Sequence, residues 1–194
     1  HNAHKVGEIA AILVPLVPGL SQDDIVSAGA LGALAPVEDG VTFAQNALIK
    51  ARALAAASGL PAIADDSGIA VDVMGGAPGI FSALWSGRHG ADRENLELLL
   101  AQMTDIPPDH RGAAFVCAAA LVKPDGTEVV EIGTVRGRLA EAASGKNGFG
   151  YDPIFIPDGF NVTSAELTAE QKNAISHRGA AFRALAPAVA AALR

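Results

Sequence analysis

Aromatic side chains make up only 5% of the 194 residues, with one tryptophan and one tyrosine. A core built on large rings is thereby excluded, and the abundance of alanine points to small aliphatic side chains packed closely between helices and strands. Cysteine is almost lacking as well. Cys117 is the single one, so no intramolecular disulfide can form and a reducing compartment, the cytoplasm, is the expected setting. Its surroundings, AAFVCAAALV, make the thiol a small core residue. A basic excess is also missing: 14 Lys and Arg stand against 21 Asp and Glu, for a net charge of -7. That balance excludes a general nucleic-acid binder, which needs a broad cationic surface to displace phosphate counterions. It leaves room for a small polyphosphate, provided a few cations converge on it and a divalent metal offsets its charge. No apolar run is long enough to span a bilayer and none has the pattern of a signal peptide, so no membrane partner is expected. What is present, 50% hydrophobic and 18% charged residues over a length that suits one domain (1–194), describes a globular enzyme-sized chain.

The stretch TFAQNALIKARALAAASGLP carries a complete helix grammar, with Thr42 and Gln45 as a capping box and Gly59 and Pro61 as the stop. Asn46 and Lys50, four residues apart, share a face of that helix. A second helix is expected from Asp92, turning Leu96, Leu99, Leu100 and Met103 inward before Pro107 and Pro108 end it. PAIADDSGIAVDVMGG reads as a short strand, a Ser67-Gly68 turn and a second strand-like run. GAAFVCAAALV and TEVVEIGTVRG flank KPDG as a hairpin, and GFGYDPIFIP supplies a further strand ending at proline. The C-terminal section is helical, with Thr168 and Ser176 as candidate caps. The order of elements predicts an α/β fold with a partly antiparallel sheet covered by helices.

Asp65 and Asp66 are the sharpest chemical signal, because adjacent like charges repel and resist desolvation unless something positive sits close by. On a regular strand they point to opposite faces, so one of them is expected to face a site. A carboxylate at a strand end can hold Mg²⁺ or take a proton from water; a solvated Asx-turn is the plain alternative. Glu38 is a second carboxylate candidate, or else a surface acid in a turn. Lys50 can reach a phosphate from the edge of the core, or snorkel to solvent. The glycines of GGAPGI and GKNGFGYDP match neither a Walker loop nor a dinucleotide fingerprint, and read as tight turns. Phe149 and Tyr151 can offer aromatic surface to a base or pack into the core. In SHRG, His177 and Arg178 occupy a first helical turn, where the macrodipole disfavours cations; such a broken rule marks a functional site or a solvated basic turn.

Taken together, TFAQNALIKA, ADDSGIAVDVMGGAPGIFSA, GFGYDPIF and ELTAEQKNAISHRG resemble, in order and spacing, the inosine triphosphate pyrophosphatase family, over about Asn2 to Arg183. The resemblance implies a long, mixed, curved β-sheet flanked by helices in two lobes with a central nucleotide cleft. It implies a homodimeric, Mg²⁺-dependent hydrolase that splits ITP, dITP and XTP into monophosphate and pyrophosphate and so cleans the nucleotide pool. By motif, Asp66 is the proton acceptor and metal-linked carboxylate, Asp65 its supporting neighbour and Glu38 a further metal ligand. Ser67 contacts the nucleotide, Lys50 and Lys5 neutralise the triphosphate, and Asn2 lies in the phosphate loop. Phe149 stacks on the base, Gly150, Tyr151 and Asp152 shape its pocket, and Lys172, His177 and Arg178 close over it. On this reading Mg²⁺ and its triphosphate are the positive partner that the two aspartates call for. Donors from His177 and Arg178 would select a 6-carbonyl over the amino group of adenine.

The family opens with an apolar strand leading into an S/T-x-N-x-x-K phosphate loop, whereas this sequence begins HNAHK. The expectation is that the strand and the hydroxyl residue precede this point. Two rivals remain at the level of sequence: a Maf-type pyrophosphatase acting on pyrimidine or modified nucleotides, whose signature does not match SHRG or GFGYD, and a nucleotide sensor without catalysis.

Overall fold

The computed structural model describes residues 3–193, those at 3–5 for their backbone alone. Among the described residues, five α-helices and four strands follow in the order α1 (Ala3–Leu13), α2 (Phe43–Ser58), β1 (Ala62–Val71), α3 (Asp92–Gln102), β2 (Gly112–Val122), β3 (Glu128–Leu139), β4 (Phe155–Pro157), α4 (Ala169–Ala174) and α5 (His177–Ala192), with short 3-10 turns between them. The strands form one sheet in the order β1-β2-β3-β4, with helices beside it, which is the expected α/β class. β3 and β4 run antiparallel, with Gly137 opposite Pro157 and Leu139 opposite Phe155.

Local chemistry accounts for most of these bounds. Thr42 accepts from the Gln45 amide at 3.1 Å while the Gln45 side chain accepts from Val41 N at 2.7 Å, so the start of α2 is held from both sides. Gly59, at φ 69°, closes it in the left-handed region. Thr168 and Gln171 repeat the same device at α4, with both reciprocal bonds present. The β2–β3 hairpin closes at KPDG through Lys123 N to Thr127 O, 2.9 Å.

One expected turn is absent. Ser67 and Gly68 lie inside the continuous strand β1 instead of ending it. The glycine is there for closeness: a Cβ on Gly68 would run into the Ser82 hydroxyl and the Gly79 carbonyl. Ser82 accepts from Ile69 N at 2.9 Å and donates to Gly79 O at 2.6 Å, pinning the 79–84 turn onto the strand. The close approach that the glycine permits is thus made by the 79–84 segment.

The residues group into two compact units. The first comprises 1–66, 117–133 and 178–194, the second 67–116 and 134–177. In the first, residues 117–122 of β2 are buried on both faces, and the period of two sorts their side chains. Cys117, Ala119 and Leu121 join Leu13, Val17, Phe182 and Leu185; Ala118, Ala120 and Val122 join Ala47, Ala51, Ala55 and Ala62. In the second unit the core is larger-grained, with Ile69, Leu99, Met103, Ile154 and Phe155 fully buried. Each such side chain contributes about 1.5–3 kcal/mol by leaving water. Cys117 is the core residue expected of it.

Candidate active site

In the first unit the alanine face of α2 lies against the strands, and its polar edge carries Asn46 and Lys50 on one side as their spacing requires. Lys50 Nζ donates to Asp66 Oδ1 at 3.0 Å and to Glu38 Oε2 at 2.8 Å, so one ammonium bridges both carboxylates. Asn46 Nδ2 donates to Asp66 Oδ2 at 3.3 Å, while its Oδ1 accepts from Gly40 N at 2.9 Å. That second bond fixes which way the buried amide points and ties the loop carrying Glu38 to the helix.

Burial pushes the Asp66 carboxyl above the ordinary aspartate value, against the lowering pull of Lys50 and Asn46. Burial also pulls on Lys50, but its bonds to Glu38 and Asp66 outweigh this and hold its ammonium firmly charged. The outcome is a carboxylate more basic than usual beside a fixed positive charge. Such a group can take a proton from water while the ammonium steadies negative charge nearby.

Asp65 points the opposite way, as strand alternation demands. It is buried, accepts from Arg178 Nε at 3.2 Å and lies 3.9 Å from Cys117 Sγ. Arg178, only 6% exposed, donates through Nη1 to Glu8 Oε2 at 2.9 Å. Each aspartate of the pair therefore has a cation of the chain itself, Lys50 for one and Arg178 for the other.

The second unit holds the aromatic group. Asp152 is buried and accepts at Oδ2 from Phe149 N at 2.9 Å and from Lys172 Nζ at 2.5 Å. Gly148, at φ 78°, makes this possible, because a Cβ there would overlap the Asp152 carboxylate and crowd the Lys172 ammonium. Phe149 stays 64% exposed, with Lys172 Nζ 5.2 Å from its ring centre, and Gly150 N donates to Asp92 Oδ2 at 3.3 Å. Tyr151 is different: it is buried and its hydroxyl donates to Ser82 O at 2.7 Å, with burial pushing its pKa up. It anchors the loop from below. His177 opens α5 with its ring stacked on Phe115.

Glu38, Lys50 and Asp66 thus come together as the sequence suggests, and so do Phe149, Asp152 and Lys172. Arg178, grouped with His177 by sequence, has its side chain on Asp65 and Glu8. Ser67 follows Asp66 on β1, and Lys5 belongs to α1. Asn2 lies outside the described residues. Sequence reasoning passed over Asn46 as a site residue although its place one turn before Lys50 signalled it. It also passed over Glu8, for which no signal beyond a helical carboxylate exists.

The Ham1 family model matches residues 1–188. A dITP/XTP pyrophosphatase of Streptomyces avermitilis is 62% identical over 189 residues, 97% of this chain and 93% of that protein. The crystal structure of a nucleoside-triphosphatase, dITP/XTP pyrophosphatase, of Mycobacterium abscessus is similar with a TM-score of 0.80 and 49% identity over 97% of this chain and 95% of that one. A HAM1 protein of Coxiella burnetii has a TM-score of 0.86 and 35% identity over 99% and 96% of the respective chains. A family match over residues 1–188, together with a relative 62% identical over 97% of the chain, places the chain in the Ham1 family.

Proposed function

We propose that this chain hydrolyses the deaminated purine nucleoside triphosphates ITP, dITP and XTP to the monophosphate and pyrophosphate. The observation that carries this reading is Asp66, a carboxylate raised in basicity by burial and held by Lys50, in a chain 62% identical to a dITP/XTP pyrophosphatase. Asp66 takes the proton of the attacking water, and Lys50 balances the charge that gathers on the phosphoryl oxygens. Glu38 and Asp66 suit Mg²⁺, because their carboxylates lie together on either side of the Lys50 ammonium and hard oxygen ligands are what that ion takes. Among the described residues there is no group of three or more metal-ligating side chains, so phosphate and water oxygens would complete its shell. Bound there, Mg²⁺ would draw charge from the phosphates and polarise the water.

Phe149 offers its exposed face to the base, Asp152 and Lys172 set the edge beside it, and Tyr151 holds the loop in place. His177 and Arg178 supply donors toward a 6-carbonyl; Asn2, Lys5 and Ser67 belong to the phosphate end, as the family resemblance implies. The resemblance also supports a cytoplasmic homodimer, which light scattering on the purified protein checks. Among the described residues no helix is long and apolar enough to cross a membrane.

The test is product analysis with Mg²⁺ and, separately, ITP, dITP, XTP, dTTP, ATP and GTP. Monophosphate and pyrophosphate from the first three are expected. A pyrimidine preference would favour a Maf-type activity, and ITP bound without turnover would favour a sensor.

A further inference from the structure

Phe115, on β2, belongs to none of the groups assigned above. Its ring centre lies 5.1 Å from that of His177 with the planes 13° apart, an offset stack. A second contact joins Phe115 to Phe155, 4.6 Å away at 63°, edge to face. Phe155 is fully buried on β4, and the three rings form a chain that starts in the core and ends on the imidazole. His177 is the first residue of α5, so its backbone is set by the opening helical turn. A ring held face to face can turn only within its own plane, which keeps both nitrogens in the plane that Phe115 dictates. Hydrogen bonds to a carbonyl weaken steeply once the donor leaves its line.

We propose that Phe115 is a positioning residue for base recognition: it fixes the plane in which His177 presents its N–H to the purine. This rests on the reading above that His177 meets the base. Leucine at 115 keeps apolar bulk and removes the flat face. Phe115→Leu raises KM for ITP by about 2–10-fold, the range an aromatic pair commands. It lowers the preference for ITP over ATP in step and leaves kcat within about twofold, because no group at the reacting phosphate changes. Phe115→Tyr, which keeps the ring, retains the parent KM. In a His177→Ala background, Phe115→Leu adds nothing, since its effect runs through the imidazole. In the ligand-free protein, NMR of the His177 ring protons shows a ring-current shift that Phe115→Leu abolishes and Phe115→Tyr preserves.

Thermal unfolding of each variant accompanies the kinetics, and Phe115→Met replaces the leucine variant if that one does not fold. Unchanged KM and preference in Phe115→Leu, an equal loss in Phe115→Tyr, or effects of Phe115→Leu and His177→Ala that multiply would each overturn the proposal. A silent His177→Ala in an enzyme that prefers ITP would remove the imidazole from base recognition and the proposal with it. Failure of the parent protein to split ITP at all would strike the proposed activity, while the NMR shift would still report the stack.

Discussion

Around α2 the contact surface is alanine on alanine: Ala47, Ala51 and Ala55 meet Ala62, Ala118 and Ala120. Around α3 it is made of long side chains, with Leu96, Leu99 and Met103 among Ile69, Ile154 and Phe155. Small side chains let a helix backbone come close to a sheet, and that closeness brings Asn46 and Lys50 within bonding distance of Asp66. Large ones do a different job. They build a floor on which rings are oriented, as Phe155 orients Phe115 and as Tyr151 is fixed to Ser82. Distance between charges is set by the absence of side-chain volume in one unit, and direction of aromatic faces by its presence in the other.

Substitutions can break this contrast at its charged end first. Asp66→Asn should cut kcat by about 10²–10⁴-fold, the range of general acid–base assistance, while KM for ITP stays within a few fold; steady-state kinetics decide it, and equal losses in binding and turnover would make Asp66 mainly an anchor. Its neighbour should behave in the opposite manner. Asp65→Ala removes the buried carboxylate that accepts from the Arg178 guanidinium, and urea unfolding should show a loss of about 3–5 kcal/mol.

The two cores should then respond to opposite insults. Leu99→Ala empties a fully buried site and should cost about 2–5 kcal/mol with little change in turnover per folded molecule. Ala51→Leu overfills the alanine face, should cost about 1–3 kcal/mol, and should lower turnover as well by pushing Lys50 off Asp66. If Ala51→Leu left activity intact, closeness would not be what the alanines provide.

The smallest effect is a pH dependence. Because the folded-state pKa of Asp66 lies above its unfolded value, the folded chain holds this proton more tightly. Its contribution to stability is greatest below the unfolded value and declines as pH rises through the raised folded one. The stability of the parent minus that of Asp66→Asn should therefore fall as pH rises across that window, measured by urea unfolding without metal. A rising difference would mean that the Lys50 bond outweighs burial.

Much of this was legible in the sequence because the signals were local. The caps at Thr42 and Thr168, the KPDG hairpin, the strand before Pro157 and the Asn46–Lys50 face all depend on residues within four of one another. Strand alternation likewise foretold that Asp65 and Asp66 would separate. What was hidden depends on distant partners. Gly68 resembles a turn residue until Ser82 and Gly79 are seen against it, and nothing near Arg178 announces Glu8, 170 residues away. The family resemblance supplied roles for the site residues, while the geometry supplied their pairings, including a cation of the chain for each aspartate.

The doubled aspartate also bears on strand register. Sliding β1 by one residue would carry one aspartate to the other's place but set the second two positions, about 7 Å, from the remaining cation, so Lys50 and Arg178 could not both keep a carboxylate. Their neighbours would resist the slip as well. Ile63 packs with the cluster of Leu13 and Phe182, whereas Ala64 packs with the alanines of α2. A slip would drive the isoleucine into a seam where Ala47 and Ala51 leave no solvent-accessible surface at all. The register of the strand that carries both aspartates is thus guarded twice, by the two charge pairs and by the methyl groups beside them.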